Sequence, residues 1–372
     1  MIKRWLYNAR SFAAPQNLMP SILTIVMALG VPGFNIWLGL LAALGVCLVH
    51  LGGNLLDDYC DWQDELLEYR LGLRKEGEKA FTDKYPYLRD GSTTLGQLRA
   101  AIAVFFGLAL ACGLIIWIAR DYDMTLVIIA AVAAFLCFFY SAPPFKLGFH
   151  GLGELVIGLC FGPCLVCGVY EATCGGLYTP ETGFAWHILI LGIAIGMFVT
   201  NILYTHSFVE RHVDDVSHKK TLAVLLKTNG ACLTAYAIFL FWPFLMVSCC
   251  AFAGLIHWAY SLVLLMLPQA CWVMWSMVMF AYGIEVPTDH PHKWLGPMDN
   301  WDKVEPENRY YLMRWFAMRN VNTGFCLIMA LVKLTLYIIS INSYGAFCVH
   351  DELYICAFQV SICRFPFSVY VP

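Results

Sequence analysis

Charge is what this chain has least of. Of its 372 residues only 13% are Asp, Glu, Lys or Arg, about half the share of a water-soluble domain. So few charges cannot clothe a water-facing globule. With 60% hydrophobic and 15% aromatic residues, the chain is not a disordered one either. A net charge of -3 excludes recognition of nucleic acid by bulk positive charge. The 29 glycines follow no three-residue period, which excludes a collagen-like helix. Cysteine is plentiful, at 16 residues, but most of it lies inside apolar runs, as with Cys160, Cys249 and Cys250. Those thiols read as small hydrophobes rather than a disulfide framework. Cys164-Leu-Val-Cys167 has the spacing of a metal or redox pair, yet no second such pair or nearby His completes a site. No cleavable signal peptide is visible, because the apolar stretch after Lys3, Arg4 and Arg10 runs on at membrane-span length.

Long apolar runs are what the chain does have, and its mean hydropathy is +0.66. Length alone suggests two or three soluble domains; the composition makes it instead an all-α, polytopic membrane protein. A span needs about 20 mainly apolar residues. Nine are expected, over residues 12–31, 36–56, 98–119, 124–141, 152–171, 184–205, 229–250, 254–281 and 320–341. The joins after the even-numbered spans are charged and mostly long, and with the amino-terminal tail they hold 20 of the 23 Lys and Arg residues. The positive-inside rule therefore places the amino terminus and those joins in the cytoplasm, in the cell (inner) membrane. One membrane domain is expected over residues 1–341, and residues 342–372 are an extension to which no role is assigned.

Acidic residues are expensive beside a membrane, so their placement carries information. Span two runs into Asn54-Leu-Leu-Asp57-Asp58-Tyr-Cys-Asp61-Trp-Gln-Asp64-Glu65. On a continuing helix, positions 54, 57, 58, 61, 64 and 65 fall on one face at i+3 and i+4 steps, where like charges repel. A divalent cation relieves that repulsion, and Mg²⁺ favours a few carboxylates together with substrate phosphates. The bland alternative is a solvated acidic helix end. A second acidic pair argues against it: span six exits on the same side into Glu210-Arg211-His-Val-Asp214 and then Lys219-Lys220-Thr221. Two acidic faces across one cytoplasm-facing cavity suit a Mg²⁺-diphosphate clamp, with Arg211, Lys219 and Lys220 as cationic contacts to phosphate oxygens. The positive-inside rule alone explains these bases equally well. A third join, Tyr140-Ser-Ala-Pro143-Pro144-Phe-Lys146 to Gly153-Glu154, is a rigid turn whose Lys146 could reach the same mouth.

These three segments, in order and at the right span ends, together resemble the UbiA superfamily of intramembrane prenyltransferases. The matching residues are Asp57-Asp58-Tyr59-Cys60-Asp61 followed by Glu65, then Tyr140 to Glu154, then Glu210-x-x-x-Asp214 with Lys219-Lys220-Thr221-Leu222. Ala9-Arg10-Ser11-Phe12 also resembles the family's start, which brings Arg10 to the site. The resemblance covers roughly residues 8–341. It departs from the family at Asp57, where an Asn is usual and Asn54 stands one turn earlier, and at Glu210, where Asp is common. Both changes keep oxygen ligands. Asn54-Leu-Leu-Asp57-Asp58-Tyr59-Cys60-Asp61 is most similar to the menaquinone-branch pattern. The resemblance thus implies Mg²⁺-dependent transfer of a prenyl group from a polyprenyl diphosphate to an aromatic acceptor, 1,4-dihydroxy-2-naphthoate. It implies metal-holding and catalytic roles for Asp57, Asp58, Asp61, Glu65, Glu210 and Asp214. Substrate-binding roles fall to Arg10, Asn54, Tyr140, Lys146, Arg211, Lys219 and Lys220.

Rivals remain. A terpene cyclase, or an enzyme for another acceptor such as 4-hydroxybenzoate, would use the same metal site. A cation-coupled transporter would place acids in mid-span and show inverted repeats, and only Lys333 suggests it. A membrane scaffold leaves the paired acids unexplained. The lipid bilayer is an expected partner and nucleic acid is not.

Overall fold

The structure, a computed structural model, describes residues 2–64, 67–69, 72 and 85–345. It is almost wholly helical. A short helix α1 (Ile2–Asn8) leads through Arg10, which is left-handed at φ 59°, into α2 (Pro15–Met27). There follow α3 (Ile36–Trp62), α4 (Leu95–Ala119), α5 (Met124–Ser141), α6 (Gly153–Cys174) and α7 (Trp186–Val209). The last three are α8 (Asn229–Phe252), α9 (Trp258–Ala281) and α10 (Pro306–Gly345).

Local chemistry sets where these helices begin. The Asn35 side chain accepts from the Trp37 and Leu38 amides at 3.0 and 3.2 Å to start α3. Thr94 and Gln97 form a reciprocal capping box at the head of α4, and Asp123 and Thr228 cap α5 and α8. Each such cap satisfies amides the helix itself leaves without partners.

Eight helices among the described residues, α3 to α10, are long and apolar enough to cross a membrane. The expected first span is the exception: α2 has 13 residues, about 20 Å at 1.5 Å per residue. The left-handed Arg10 and the turn of Ser11–Ala13 delay its start, and Pro15 then opens the helix. Flanking turns complete the passage. At one end Arg10 pairs with Asp58 of α3. At the other, the Gly33 carbonyl accepts from Arg120, and the Asn35 amide donates to the Thr173 carbonyl. Arg120 and Thr173 lie at the ends of α4 and α6 opposite the acidic cluster, so the chain crosses from face to face. Outward-facing Val104, Ile118 and Ile128 are 59%, 57% and 61% exposed, as lipid-facing side chains should be.

The helix α7 forms the centre of the molecule, with Ile188, Ile195 and Phe198 fully buried. It meets α6 backbone to backbone. A Cβ on Gly162 would lie 2.5 Å from the Gly192 carbonyl oxygen, and one on Gly196 would lie 2.4 Å from that of Gly158. Gly158-x-x-x-Gly162 thus faces Gly192-x-x-x-Gly196, the small-residue spacing that lets membrane helices approach closely. In the same stretch α6 widens into a π-helical turn at Cys160–Cys164. Pro163, which has no N–H to donate, sits inside it. A two-stranded hairpin, β1 (Tyr178–Thr179) with β2 (Gly183–Phe184), links α6 to α7. The thirteen described cysteines are all free.

Candidate active site

Helices α2 to α7, with α10, enclose a cavity of about 1370 Å³. One end is polar, lined by Arg10, Asn54, Asp57, Asp58, Asp61, Tyr140 and Lys219. From there it runs between apolar walls of α4, α5 and α6, past Leu110, Ile129 and Cys164, to Trp117 and Met124 near the opposite face.

The last two turns of α3 bring its three aspartates to one place, as their spacing predicts, and four donors meet them there. The Arg10 guanidinium donates to Asp58 and lies 3.8 Å from Asp57. Burial opposes the Arg10 charge, but Asp58 and then Asp57 outweigh it and raise its pKa. The Tyr87 hydroxyl donates to Asp58 at 2.6 Å, and the Tyr85 hydroxyl donates to Asp61 at 2.5 Å. Burial, reinforced by those carboxylates, raises both phenol pKa values, so each stays protonated and remains a donor. Ser141, at the end of α5, donates to Asp57 at 2.5 Å. Asn54 bonds the Ala9 carbonyl at 2.9 Å and ties the amino-terminal segment to α3 beside Arg10.

The second acidic pair is placed differently. Glu210 and Asp214 are 1% and 3% exposed and lie behind the cavity wall. His206, which does line the cavity, stands in front of Glu210 with Nε2 3.1 Å from its carboxylate and Nδ1 3.1 Å from the Tyr311 hydroxyl. Lys219 stands between the two clusters. Burial opposes its charge, while Asp214 and Asp61 together raise its pKa above the ordinary lysine value. It therefore stays cationic at neutral and alkaline pH.

The third join docks here as well. Lys220 donates its amide to the Phe149 carbonyl at 3.1 Å, and the Phe149 ring lies under both Lys146 and Lys219 at 5.5 and 5.2 Å. Lys146 reaches Asp64 at 3.7 Å. Arg211 points elsewhere: its guanidinium donates to Asn229 at 2.7 Å, toward α8. Lys220 is exposed outside the cavity. Glu65 lies outside the described residues, as do residues 346–372 of the carboxy-terminal extension.

Tyr85, Tyr87, Ser141, His50 and His206 are site residues that the sequence reading did not single out. Two signals pointed to some of them. The i+4 stride of the acidic face, continued backward from Asn54, reaches His50, and Ser141 follows Tyr140 directly in its motif. The tyrosines stand 20 or more residues beyond the aspartates, at and inside the four-residue helix Pro86–Arg89, where the sequence has no hydrophobic period to mark them.

Among the described residues no three His, Cys, Asp or Glu side chains converge as a ready-made metal cage. The donor set nevertheless fits Mg²⁺. Asp57, Asp58 and Asp61 all line the cavity; Arg10 and Tyr87 engage both oxygens of Asp58, while Ser141 bonds one oxygen of Asp57 and Tyr85 one oxygen of Asp61, one turn away. Mg²⁺ typically takes one or two carboxylates and completes its shell with water and substrate phosphates.

Comparison with known proteins agrees with this architecture. Over 128 residues, 34% of this chain and 39% of the other, it is 34% identical to a 2-carboxy-1,4-naphthoquinone phytyltransferase of Synechocystis. Over 224 residues, 60% of this chain and 69% of the other, it is 25% identical to a 1,4-dihydroxy-2-naphthoate octaprenyltransferase of Mycobacterium leprae. The structure resembles that of a UbiA homolog from Archaeoglobus fulgidus bound to GPP and Mg²⁺, with a TM-score of 0.50 and 12% identity over 88% of this chain and 99% of that one. A family model described as the UbiA prenyltransferase family matches residues 18–282, well over half of the chain, which belongs to that family.

Proposed function

We propose that this protein transfers a prenyl group from an allylic polyprenyl diphosphate to 1,4-dihydroxy-2-naphthoate, with Mg²⁺ as cofactor. The observation that carries the reading is one continuous cavity with two chemistries. At one end carboxylates and fixed cations suit a metal diphosphate; beyond them an apolar channel of membrane-spanning length suits an isoprenoid chain. The names of the Synechocystis and Mycobacterium leprae relatives support the naphthoate acceptor, and the ligands of the Archaeoglobus fulgidus homolog support the metal and the donor.

In this reading Asp57 and Asp61 hold the metal, which when bound neutralises charge on the diphosphate. Glu65 is assigned the same role by its place in the sequence motif. Arg10 and Lys219 face the diphosphate and stabilise the negative charge that grows on it as the allylic C–O bond breaks, the electron pair leaving with oxygen. Glu210 and Asp214 act from behind the wall by orienting His206 and Lys219. Lys146 and Lys220 lend positive charge at the mouth, and Asn54 holds the Arg10 segment. Tyr140 lends its ring face to the allyl cation. The apolar walls exclude water, so the cation is captured by the electron-rich ring, which then loses a proton or its carboxyl group. The charged loops face the cytoplasm across the cell membrane, as the distribution of Lys and Arg supports.

The test is prenyl transfer by purified, detergent-solubilised protein with labelled donors of several lengths and with 1,4-dihydroxy-2-naphthoate or 4-hydroxybenzoate as acceptor. Product with the naphthoate that disappears with EDTA and returns with Mg²⁺ is the expected result. Diphosphate release without transfer to either acceptor points to a cyclase or another acceptor. No diphosphate release from folded protein at any chain length refutes the reading.

A further inference from the structure

Two turns deeper than Asp57, on the same face of α3, lies an ionisable residue that the diphosphate chemistry does not use. His50 is 8% exposed and lines the cavity. Its position seven residues before Asp57 places it about 10 Å further into the membrane. Both of its ring nitrogens meet side-chain amides from α2. The Asn17 amide nitrogen lies 2.9 Å from Nδ1, and the Gln16 amide nitrogen lies 3.1 Å from Nε2. A polar cluster at this depth is costly unless it serves a purpose.

A neutral imidazole has one acceptor nitrogen and one donor, so it cannot accept from both amides. Asn17 is fully buried, and its carbonyl oxygen accepts from the Cys47 thiol at 3.5 Å. Its amide nitrogen therefore serves Nδ1, and the ring proton lies on Nε2. An Nε2–H is satisfied by the Gln16 carbonyl, which a half-turn of that amide supplies. The Gln16 NH₂ is then turned away from the ring, and Gln16, unlike Asn17, lines the cavity. Asn17 and His50 already tie α2 to α3. Gln16 is the surplus member of the cluster, and it faces the substrate space.

We infer that Gln16, oriented by His50 and Asn17, is the hydrogen-bonding anchor for an oxygen of the aromatic acceptor. Phe161, from the π-helical turn of α6, packs edge-on to His50 with centroids 5.0 Å apart and lines the same pocket. A flat ring bearing oxygen substituents finds there both an aromatic wall and a donor. An isoprenoid chain has no atom to offer Gln16. The interval of about 10 Å from the aspartates accommodates the leaving oxygen, the allylic carbon and the ring in sequence. A site built around a substrate oxygen discriminates steeply against analogues without it, because its own polar group is then left unpaired.

This inference rests on the proposed transferase reading, and its test keeps the two apart. Full-length wild type, Gln16→Leu and Gln16→Glu are assayed in detergent with Mg²⁺, varying acceptor and donor separately. Gln16→Leu is expected to raise the acceptor KM at least 10-fold while the donor KM stays within twofold of wild type. Gln16→Glu, nearly isosteric and a poor donor, is expected to raise it further for an anionic acceptor. His50→Gln, which keeps hydrogen-bonding capacity toward Asn17, is expected to recover part of the loss seen in His50→Phe. An unchanged acceptor KM in both Gln16 variants overturns the inference. So does an equal rise in both KM values at unchanged melting temperature, because the anchor acts on the acceptor alone. If Gln16→Leu fails to fold, Gln16→Glu decides. A wild type that releases no diphosphate overturns the transferase reading itself, an outcome distinct from either.

Discussion

The chain carries two acidic signatures with nearly the same spacing, and the structure treats them in opposite ways. Asp57 and Asp61 on α3 line the cavity, whereas Glu210 and Asp214 after α7 are buried behind it. The difference begins with the backbone. The helix α3 continues without interruption through its aspartates to Trp62, so the face that points into the cavity at His50 still does so at Asp61. The helix α7 stops at Val209, and a new helical segment, Arg211–Val216, starts after Glu210, whose backbone at φ −89° and ψ 10° departs from helical geometry. Glu210 and Asp214 remain one turn apart, joined by a 2.9 Å backbone hydrogen bond. Their shared face, however, is turned toward His206 and Lys219. The same spacing thus lines the cavity in one place and backs cationic side chains in the other.

Substitutions at the two pairs test that contrast most directly. Asp61→Asn keeps the shape but removes a charge that faces the cavity, and in the proposed reaction it should lower kcat for prenyl transfer on the order of 10³-fold. Asp214→Asn and Glu210→Gln act through Lys219 and His206, and each should cost roughly 10–100-fold, the range seen when groups that orient ligands are removed. Steady-state kinetics over a Mg²⁺ titration separates the cases. Asp61→Asn should raise the Mg²⁺ needed for half-maximal rate far more than Asp214→Asn does. If the two variants behave alike in both rate and Mg²⁺ demand, with equal melting temperatures, the contrast fails and Glu210 and Asp214 are ligands too.

A smaller effect is expected at the hydroxyls that hold the first cluster. Tyr85→Phe frees Asp61 from its 2.5 Å partner, and Tyr87→Phe frees one oxygen of Asp58. Each should weaken apparent Mg²⁺ affinity about 10-fold, leaving the saturated rate near wild type. A drop in the saturated rate with unchanged Mg²⁺ demand would show that the tyrosines touch substrate instead.

How much of this was legible in the sequence differs between the same two regions. Hydropathy located α3 to α9 to within about six residues, because a run of twenty apolar residues has one reading, but α10 begins at Pro306 rather than at residue 320, since its first turns are too charged to register as apolar. Periodicity placed Asn54, Asp57, Asp58 and Asp61 on one face, because α3 never breaks. It also placed Glu210 and Asp214 on one face, but where that face points depends on the break between α7 and Arg211–Val216 at Glu210, which has no local signature. Arg211 illustrates the same limit: its charge suggested phosphate, while packing sends it to Asn229. The first span came out short because the left-handed turn at Arg10 is a tertiary feature, held by Asp58 some 48 residues away. His50 was within reach of the pattern and Tyr85 was not, since the sequence around Tyr85 has no hydrophobic period from which to extrapolate.

The smallest effect belongs to the link between the acidic face and the third join. Lys146 lies 3.7 Å from Asp64, and its side chain is 38% exposed. A pair that open to solvent is worth about 0.2–1 kcal/mol, so Lys146→Ala should cost no more than a few-fold in rate at low salt. That cost should shrink as ionic strength rises, because water and ions already screen the pair. Lys219, enclosed between Asp214 and Asp61, is screened far less. Lys219→Met should therefore keep its larger loss at all salt concentrations. Measuring both variants from 50 to 500 mM NaCl sharpens the contrast between mouth and interior. If the Lys146→Ala loss were as salt-insensitive as that of Lys219→Met, Lys146 would be contacting the diphosphate rather than lending charge at the mouth.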